Sequence, residues 1–305
     1  MKKPILLAGA NGNIGSFIFE KLNKEYAITR VDYTQRILGD NYFSLDLTNE
    51  LEVSTFSKSS PKHNALIFLV GLAHKKGKGQ EFDEFRRINK QTLVNLLSAL
   101  EVQGKLPNKI IFASTISVYG EKMNQNIYNE DSEKNPFSPY AVTKLEAEEF
   151  LLTNYGEQSW ILRFAPVYAL DFQLNINRRT KVAGSFYKVG NGRGKLSLCN
   201  LENIGSAVQG ILKDKVPAGV YNISDENEYS YNDLLKYVNA KWVVRIPTFL
   251  VKGLYVVGKM MNNIFLKENA TKLISDNIFP SDKIRKYISL SGTLNTLSTN
   301  ENEQK

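Results

Sequence analysis

Tyr140 and Lys144 stand four residues apart in Ser138-Pro-Tyr-Ala-Val-Thr-Lys144, a spacing that places a phenol and an ammonium on one face of a helix. A phenol ordinarily titrates near pH ~10. A neighbouring lysine ammonium stabilises the phenolate and lowers that value, which makes the tyrosine a competent general acid or base. Upstream, Ser114-Thr-Ile-Ser-Val-Tyr-Gly120 follows the apolar run Lys109–Ala113. Its hydroxyls therefore fall at the carboxyl end of a strand, the edge at which open α/β sheets bind ligands. A Ser or Thr there can hold a substrate hydroxyl while hydride leaves the same carbon. Phenol, ammonium and hydroxyl together read as hydride chemistry on an alcohol or ketone.

Such chemistry needs a hydride carrier, and the N-terminus offers a seat for one. Gly9-Ala-Asn-Gly12-Asn-Ile-Gly15 directly follows the run Ile5–Ala8 and opens a helix. Glycines in that pattern allow a tight turn and close approach of backbone to a pyrophosphate, with helix N–H groups aimed at the phosphates. The next apolar run, Tyr26–Val31, ends at Asp32, seventeen residues past Gly15. An acid there binds adenosine ribose hydroxyls and repels a 2′-phosphate, which favours NAD; Arg30 and Arg36 nearby leave NADP open.

The elements that position these groups alternate. Short apolar runs at Ile5–Ala8, Tyr26–Val31, Ala65–Val70, Lys109–Ala113 and Trp160–Phe164 are separated by helix-period stretches at Ile14–Leu22, Phe82–Leu100 and Tyr140–Leu152. This pattern predicts βαβ units, hence an α/β fold with a doubly wound parallel sheet. After Pro166 the pattern loosens, then resumes with a helix over Glu202–Leu212, a strand over Gly219–Ile223 and a helix over Tyr231–Val238. We expect a Rossmann-type unit over residues 1–166 and a smaller, partly interleaved substrate-binding part over 167–290. Within the latter, 201–224 returns to the first sheet. From residue 291 to 305 we expect a frayed polar tail.

In order and spacing these pieces resemble the extended short-chain dehydrogenase/reductases that act on nucleotide sugars. The matching segments are GANGNIG, Asp32, Asp46-Leu47, Val70-Gly-Leu-Ala73, Asn89, STISVYG, YAVTK and Arg163-Phe-Ala-Pro-Val-Tyr168, with Gly219-Val-Tyr-Asn-Ile-Ser224 a weaker match. The resemblance implies a cofactor held by Gly9, Asn11, Gly12, Asn13, Ile14 and Gly15 at the pyrophosphate and Asp32 at the ribose. Asp46 and Leu47 would flank the adenine. Val70, Gly71, Ala73, Asn89, Ser114 and Val167 would line the remainder, with Tyr140 and Lys144 at the nicotinamide ribose. It also makes Tyr140 the acid/base and Thr115 the third catalytic group, with Ser117 a sugar contact. The basic stretch containing Arg178, Arg179 and Arg193 lies where the family binds the nucleotide diphosphate, and His74 stands within reach of the sugar. The helices Phe82–Leu100 and Tyr140–Leu152 would form a homodimer interface.

Departures from the family pattern narrow the reaction. Ile116 and Ser117 stand where related dehydratases carry acids after the threonine, and Ser117 stands where related decarboxylases carry a Glu. Cys199, His63 and His74 do not match the Cys/His pair of the fucose-forming members. What remains is hydride transfer at sugar C4. We expect an NAD-dependent 4-epimerase of a UDP-hexose or UDP-N-acetylhexosamine. The alternatives are an NAD(P)H-dependent 4-keto-sugar reductase of polysaccharide biosynthesis and a non-catalytic NAD(P)-binding regulator. A lipid-linked sugar is a further substrate class within this branch.

Composition bounds the rest. The 305 residues include 39 Lys+Arg against 31 Asp+Glu, a formal charge of +8, with one cysteine and two histidines. One cysteine forms no internal disulfide, and so few His and Cys give no metal-ligand cluster. The positive excess suits phosphate-bearing ligands, while no helix-turn-helix, zinc module or aromatic-basic signature points to nucleic acid. The five-residue apolar run behind Lys2 and Lys3 is too short for a signal peptide, so a cytoplasmic location is expected. Phe249–Phe265, the most apolar later stretch, is interrupted by Lys252 and Lys259. It reads as an amphipathic helix packed on the protein without stable membrane insertion, with docking at a membrane surface as the alternative.

Overall fold

The computed structural model describes residues 2–34, 41–73, 82–120, 122 and 125–296 of the chain. Its main feature is a seven-stranded sheet in the order Gly219–Ile223, Ser159–Phe164, Lys109–Thr115, Ala65–Phe68, Pro4–Ala8, Ala27–Asp32 and Tyr42–Ser44. From Lys109–Thr115 to Tyr42–Ser44 every neighbouring pair is parallel. The central strands are buried on both faces, which is why they read as continuous apolar runs rather than alternating ones. Leu6, Ala8, Leu66, Phe68, Ile110 and Phe112 face one core, shared with Leu93, Leu96, Leu97 and Leu100 and with Ala147 and Leu151.

Strand direction of travel through the sheet reverses between Pro4–Ala8 and Ala65–Phe68, the switch point at which doubly wound sheets bind ligands. Two helices frame that point. Asn13–Leu22 starts from Gly12, which supplies no side-chain cap, and carries no acid in its first turn. Its first N–H groups thus have no competing side-chain acceptor from the cap. Pro139–Tyr155 begins at a proline, whose fixed φ and missing N–H suit a first helical position. The stretch from Phe82 to Val102 is interrupted over Arg87–Gln91 by a wider π turn, a distortion that alters which side chains face inward.

Two compact units emerge: 1–115 with 139–163 and 208–221, and 116–138 with 164–207 and 222–305. Residues 116–138 group with the C-terminal part, and 208–221 group with the first unit. The second unit holds a three-stranded sheet ordered Val243–Ile246, Ser185–Val189 and Lys181–Val182. The hairpin between its last two strands turns on Ala183 and Gly184, both at positive φ. Around Tyr168, Leu196, Leu198 and Leu234 lies a separate apolar cluster. The tail is ordered further than its polarity predicts: Gly292 N donates to Asn203 Oδ1 at 2.8 Å and Leu294 is buried. Residues 297–305 lie outside the described part.

Candidate active site

At the switch point a cavity of about 620 Å³ is lined by Gly9, Asn11, Gly12, Asp32, Asp46 and Leu47 on one side and Val70, Gly71, Leu72 and Arg87 on the other. Its wall depends on glycine. Gly9 sits at φ +83, and a Cβ there would stand 3.0 Å from the backbone of Leu69 and Val70; one on Gly15 would stand 2.2 Å from Gly9 O. Within the turn Gly12 N donates to Gly9 O at 3.4 Å, and Gly9 N donates across to Val31 O at 3.0 Å. Asp32 Oδ2 accepts from Asn11 N at 2.9 Å, so the acid is fixed at the cavity edge. Asn11 Nδ2 donates to Tyr42 Oη at 2.7 Å and to Thr34 O. Asp46 Oδ1 accepts from Thr48 N and Oγ1 at 2.8 and 2.7 Å.

Several neighbours act from beneath rather than at the surface of the cavity. Asn89 is fully buried in the π turn; its Oδ1 accepts from Leu72 N at 2.6 Å and its Nδ2 donates to Thr143 Oγ1 at 3.0 Å. It therefore holds the 70–73 loop instead of lining the cavity as expected. Ala73 is exposed and does not line it. Ser114 is also engaged elsewhere, its Oγ donating to Glu148 Oε1. Val167 lies in the second unit, paired with Cys199. Arg30 does not line the cavity: it is buried, with its guanidinium carbon 4.1 Å from the Phe19 ring centre. Arg36 and His74 lie outside the described residues.

Tyr140, Lys144 and Thr115 do not themselves line the cavity; Lys144 lies directly behind one lining residue, Gly71. Lys144 is buried, and its Nζ donates to Val70 O at 3.1 Å and Ala113 O at 3.0 Å, bridging the carboxyl ends of two adjacent strands. A Cβ on cavity-lining Gly71 would stand 3.0 Å from that nitrogen. The bare glycine thus lets the ammonium reach the wall of the cavity. Burial lowers the Lys144 ammonium to about 7, with the Glu148 carboxylate pulling it back up. Tyr140 shares a side-chain hydrogen bond with Thr115. Spacing alone predicted a lowered phenol; instead burial pushes Tyr140 up to about 12, with the Thr115 bond acting in the opposite sense. Desolvation of the phenolate is the larger effect, and the Thr115 bond offsets only part of it.

One feature of this floor was invisible in the motifs. Glu148 and Arg163 form a buried ion pair, each side chain about 1% exposed, with Arg163 Nη2 donating to Glu148 Oε2 at 2.7 Å. Glu148 falls one turn after Lys144, so Tyr140, Lys144 and Glu148 repeat at i, i+4 and i+8. That repeat was the available signal, although charges on a helix ordinarily read as a solvated face. Arg87, Thr92 and Tyr33 also line the cavity without having been singled out.

Beyond the first unit, Ser117 is half-buried in the turn Ile116–Tyr119. Arg178 and Arg179 sit on the short helix Leu174–Thr180, where Arg179 Nη1 donates to Asn175 O at 3.0 Å. Arg193 is exposed in a turn fastened by its own N–H to Asn191 Oδ1. Cys199 is a buried thiol, and burial holds it well above its ordinary value.

A glycine-walled cavity at the switch point, an uncapped helix start and a fixed acid at the second strand fit a dinucleotide, and the tyrosine–lysine–threonine set defines an oxidoreductase-type site beside it. A model of the NAD dependent epimerase/dehydratase family matches residues 5–224, and the chain belongs to that family. It is an NAD(P)-dependent enzyme of the sugar-nucleotide epimerase and oxidoreductase class. It is 26% identical over 260 residues to N-acetyl-alpha-D-glucosaminyl-diphospho-ditrans,octacis-undecaprenol 4-epimerase of Escherichia coli O157:H7, covering 81% of this chain and 75% of that one. The fold is shared with UDP-glucuronic acid 4-epimerase from Bacillus cereus in complex with NAD (TM-score 0.70, 20% identity, 96% of this chain and 93% of that one). It is also shared with dTDP-4-dehydrorhamnose reductase from Bacillus anthracis in complex with NADP (TM-score 0.69, 18% identity, 98% of each chain).

Proposed function

We propose that the protein is an NAD-dependent 4-epimerase acting on a hexose or N-acetylhexosamine carried on UDP. The observation that carries this reading is the meeting of Lys144 and Gly71, which joins the acid/base set to the cavity wall. Gly9, Gly12 and Gly15 with the start of the Asn13–Leu22 helix would hold the pyrophosphate, and Asp32 the adenosine ribose. Asp32 at the rim and the sequestered Arg30 favour NAD over NADP. When bound, NAD supplies a hydride acceptor at C4 and a positively charged ring.

The chain's own part is proton movement and orientation. Thr115 holds the C4 oxygen through its hydroxyl and shares a hydrogen bond with Tyr140. Tyr140 takes the C4 hydroxyl proton as hydride departs and returns it when hydride comes back to the other face. Placing positive charge near the phenol is what the Tyr140 proton transfer requires, because burial alone holds that proton tightly. Lys144, one helical turn on, supplies this charge in its protonated form, which the Glu148 carboxylate favours. Ser117, Arg178, Arg179 and Arg193 are proposed for the sugar-diphosphate side.

A second carrier merits the same assay, because the Escherichia coli relative is named for a substrate whose diphosphate bears undecaprenol rather than a nucleoside. Incubating the purified protein, with no added cofactor, with UDP-glucose, UDP-N-acetylglucosamine and the polyprenyl-diphosphate N-acetylglucosamine tests both. C4 epimers formed from a UDP-sugar support the proposal, and epimers formed only from the polyprenyl substrate move the carrier to lipid. Stoichiometric NAD(P)H consumption with a 4-keto sugar would replace epimerase by reductase.

A further inference from the structure

The helix Thr248–Met260 wears its apolar side outward. Val251 and Gly258 are buried, and a Cβ on Gly258 would stand 2.9 Å from Lys267 N. That face is therefore packed on the following helix, Ile264–Ile274. At about 100° per residue, Phe249, Val256, Val257 and Met260 fall on the far side, in an arc of about 160° that also takes in Leu254 and Met261. Phe249, Met261 and Met260 are 70%, 69% and 81% exposed, and Trp242, just ahead in the chain, is 88% exposed. Lys252 and Lys259, two turns apart, share one column at the border of the arc.

Along the chain, the charge flanking this helix is one-sided. Between Asp233 and Glu268 the sequence contains no acidic residue, while Lys236, Lys241, Arg245, Lys252, Lys259 and Lys267 all fall within it. A second copy of the chain would set these cations against each other. An anionic bilayer would not: phosphate headgroups meet the lysines while phenylalanine, methionine and valine side chains enter the acyl boundary. No helix among the described residues is long and apolar enough to cross a membrane, so the geometry is that of an element lying in the interface. We infer that Thr248–Met261 docks this protein peripherally on an anionic phospholipid surface. A contiguous outward apolar face of this kind marks an interaction site rather than ordinary surface scatter. The inference goes beyond the proposed reaction and stands whichever carrier the sugar bears; a bilayer-bound enzyme would, in addition, meet polyprenyl-linked sugars in their own plane.

Flotation of the full chain with vesicles tests this without turnover, so its failure leaves the epimerase reading untouched. The protein is expected to float with vesicles of phosphatidylcholine containing phosphatidylglycerol, far less with phosphatidylcholine alone, and less as salt screens the lysines. Emission from exposed Trp242 should shift to the blue and be quenched by brominated lipid, while buried Trp160 gives a constant background. Phe249→Ser with Met260→Ser, and separately Lys252→Glu with Lys259→Glu, should each lower vesicle partition by about tenfold or more at an unchanged melting temperature. Absence of wild-type flotation at low salt overturns the inference. So does equal flotation of folded variants, or a wild-type dimer that Phe249→Ser dissociates and that does not float. The wild-type salt and quenching series decides the matter even where a variant folds poorly.

Discussion

Gly15→Ala puts the cofactor cradle to a quantitative test. An added Cβ would lie 2.2 Å from Gly9 O and 2.9 Å from Ala10 Cα and carbonyl carbon, all backbone atoms. No side chain can rotate away to relieve this. The helix start and the Gly9 turn must separate by nearly an ångström, in the loop whose N–H groups would hold the pyrophosphate. Overpacking of this size costs about 1–3 kcal/mol. Were all of that lost from the cradle, NAD affinity would fall about fivefold to 150-fold, and the melting temperature by about 2–4 °C per kcal/mol. Gly12→Ala is the control, because its Cβ would meet only Gly9 O at an ordinary 3.6 Å. It should melt like the wild type. Titration calorimetry with NAD and thermal melts of both variants provide the readouts. A Gly15→Ala protein with wild-type melting and NAD affinity within twofold of wild type would refute the assignment of this turn.

Other perturbations probe other links. Tyr140→Phe should retain NAD affinity and lose turnover by about 10²–10⁴-fold, measured by single-turnover kinetics. Arg163→Met strands the buried Glu148 carboxylate and should destabilise the fold by about 3–5 kcal/mol. Adding Glu148→Gln should recover part of that loss in denaturant melts, since the two groups form one pair. Buried His63, bonded to Thr29 Oγ1 at 3.0 Å, has its pKa lowered from 6.5 to about 4. Between those values the unfolded chain binds more protons, so stability falls as pH drops from about 6.5 toward 4. His63→Gln should flatten this part of the profile in urea melts taken across pH. Asn89→Ala removes the clamp on Leu72 and Thr143 and should raise the Kd for NAD in titrations of cofactor-stripped protein by about tenfold, the ~1–2 kcal/mol of a buried amide's bonds.

Much of the cradle and of the acid/base set was legible because it depends on local sequence. The glycines must occupy fixed positions in a strand–turn–helix, and Tyr140 and Lys144 need only helical spacing to share a face. Tyr42–Ser44 and Glu50–Ser59 escaped notice for physical reasons. The first is a three-residue edge strand, and the second, ELEVSTFSKS, is weakly amphipathic and rich in β-branched and hydroxyl residues; its start is fixed by Asn49 accepting from Leu51 N and Glu52 N. Protonation was equally opaque, since the spacing of Tyr140 and Lys144 carries no information about burial, and burial decided both groups. The Glu148–Arg163 pair illustrates the same limit: only tertiary packing tells a buried charge from a solvated one. The helix Thr248–Met260 shows it in reverse, because an apolar periodicity is identical whether the face looks in or out.

The central claim is that one tyrosine-assisted site removes and returns the same hydrogen at C4. Its most direct test is turnover of UDP-sugar deuterated at C4, in ordinary water and without added cofactor, followed by mass and NMR analysis. The account predicts C4-epimeric product with deuterium retained at C4, formed at least about 10²-fold more slowly by Tyr140→Phe under the same conditions. Deuterium lost to solvent, or product formed only as NAD(P)H is consumed, would contradict it.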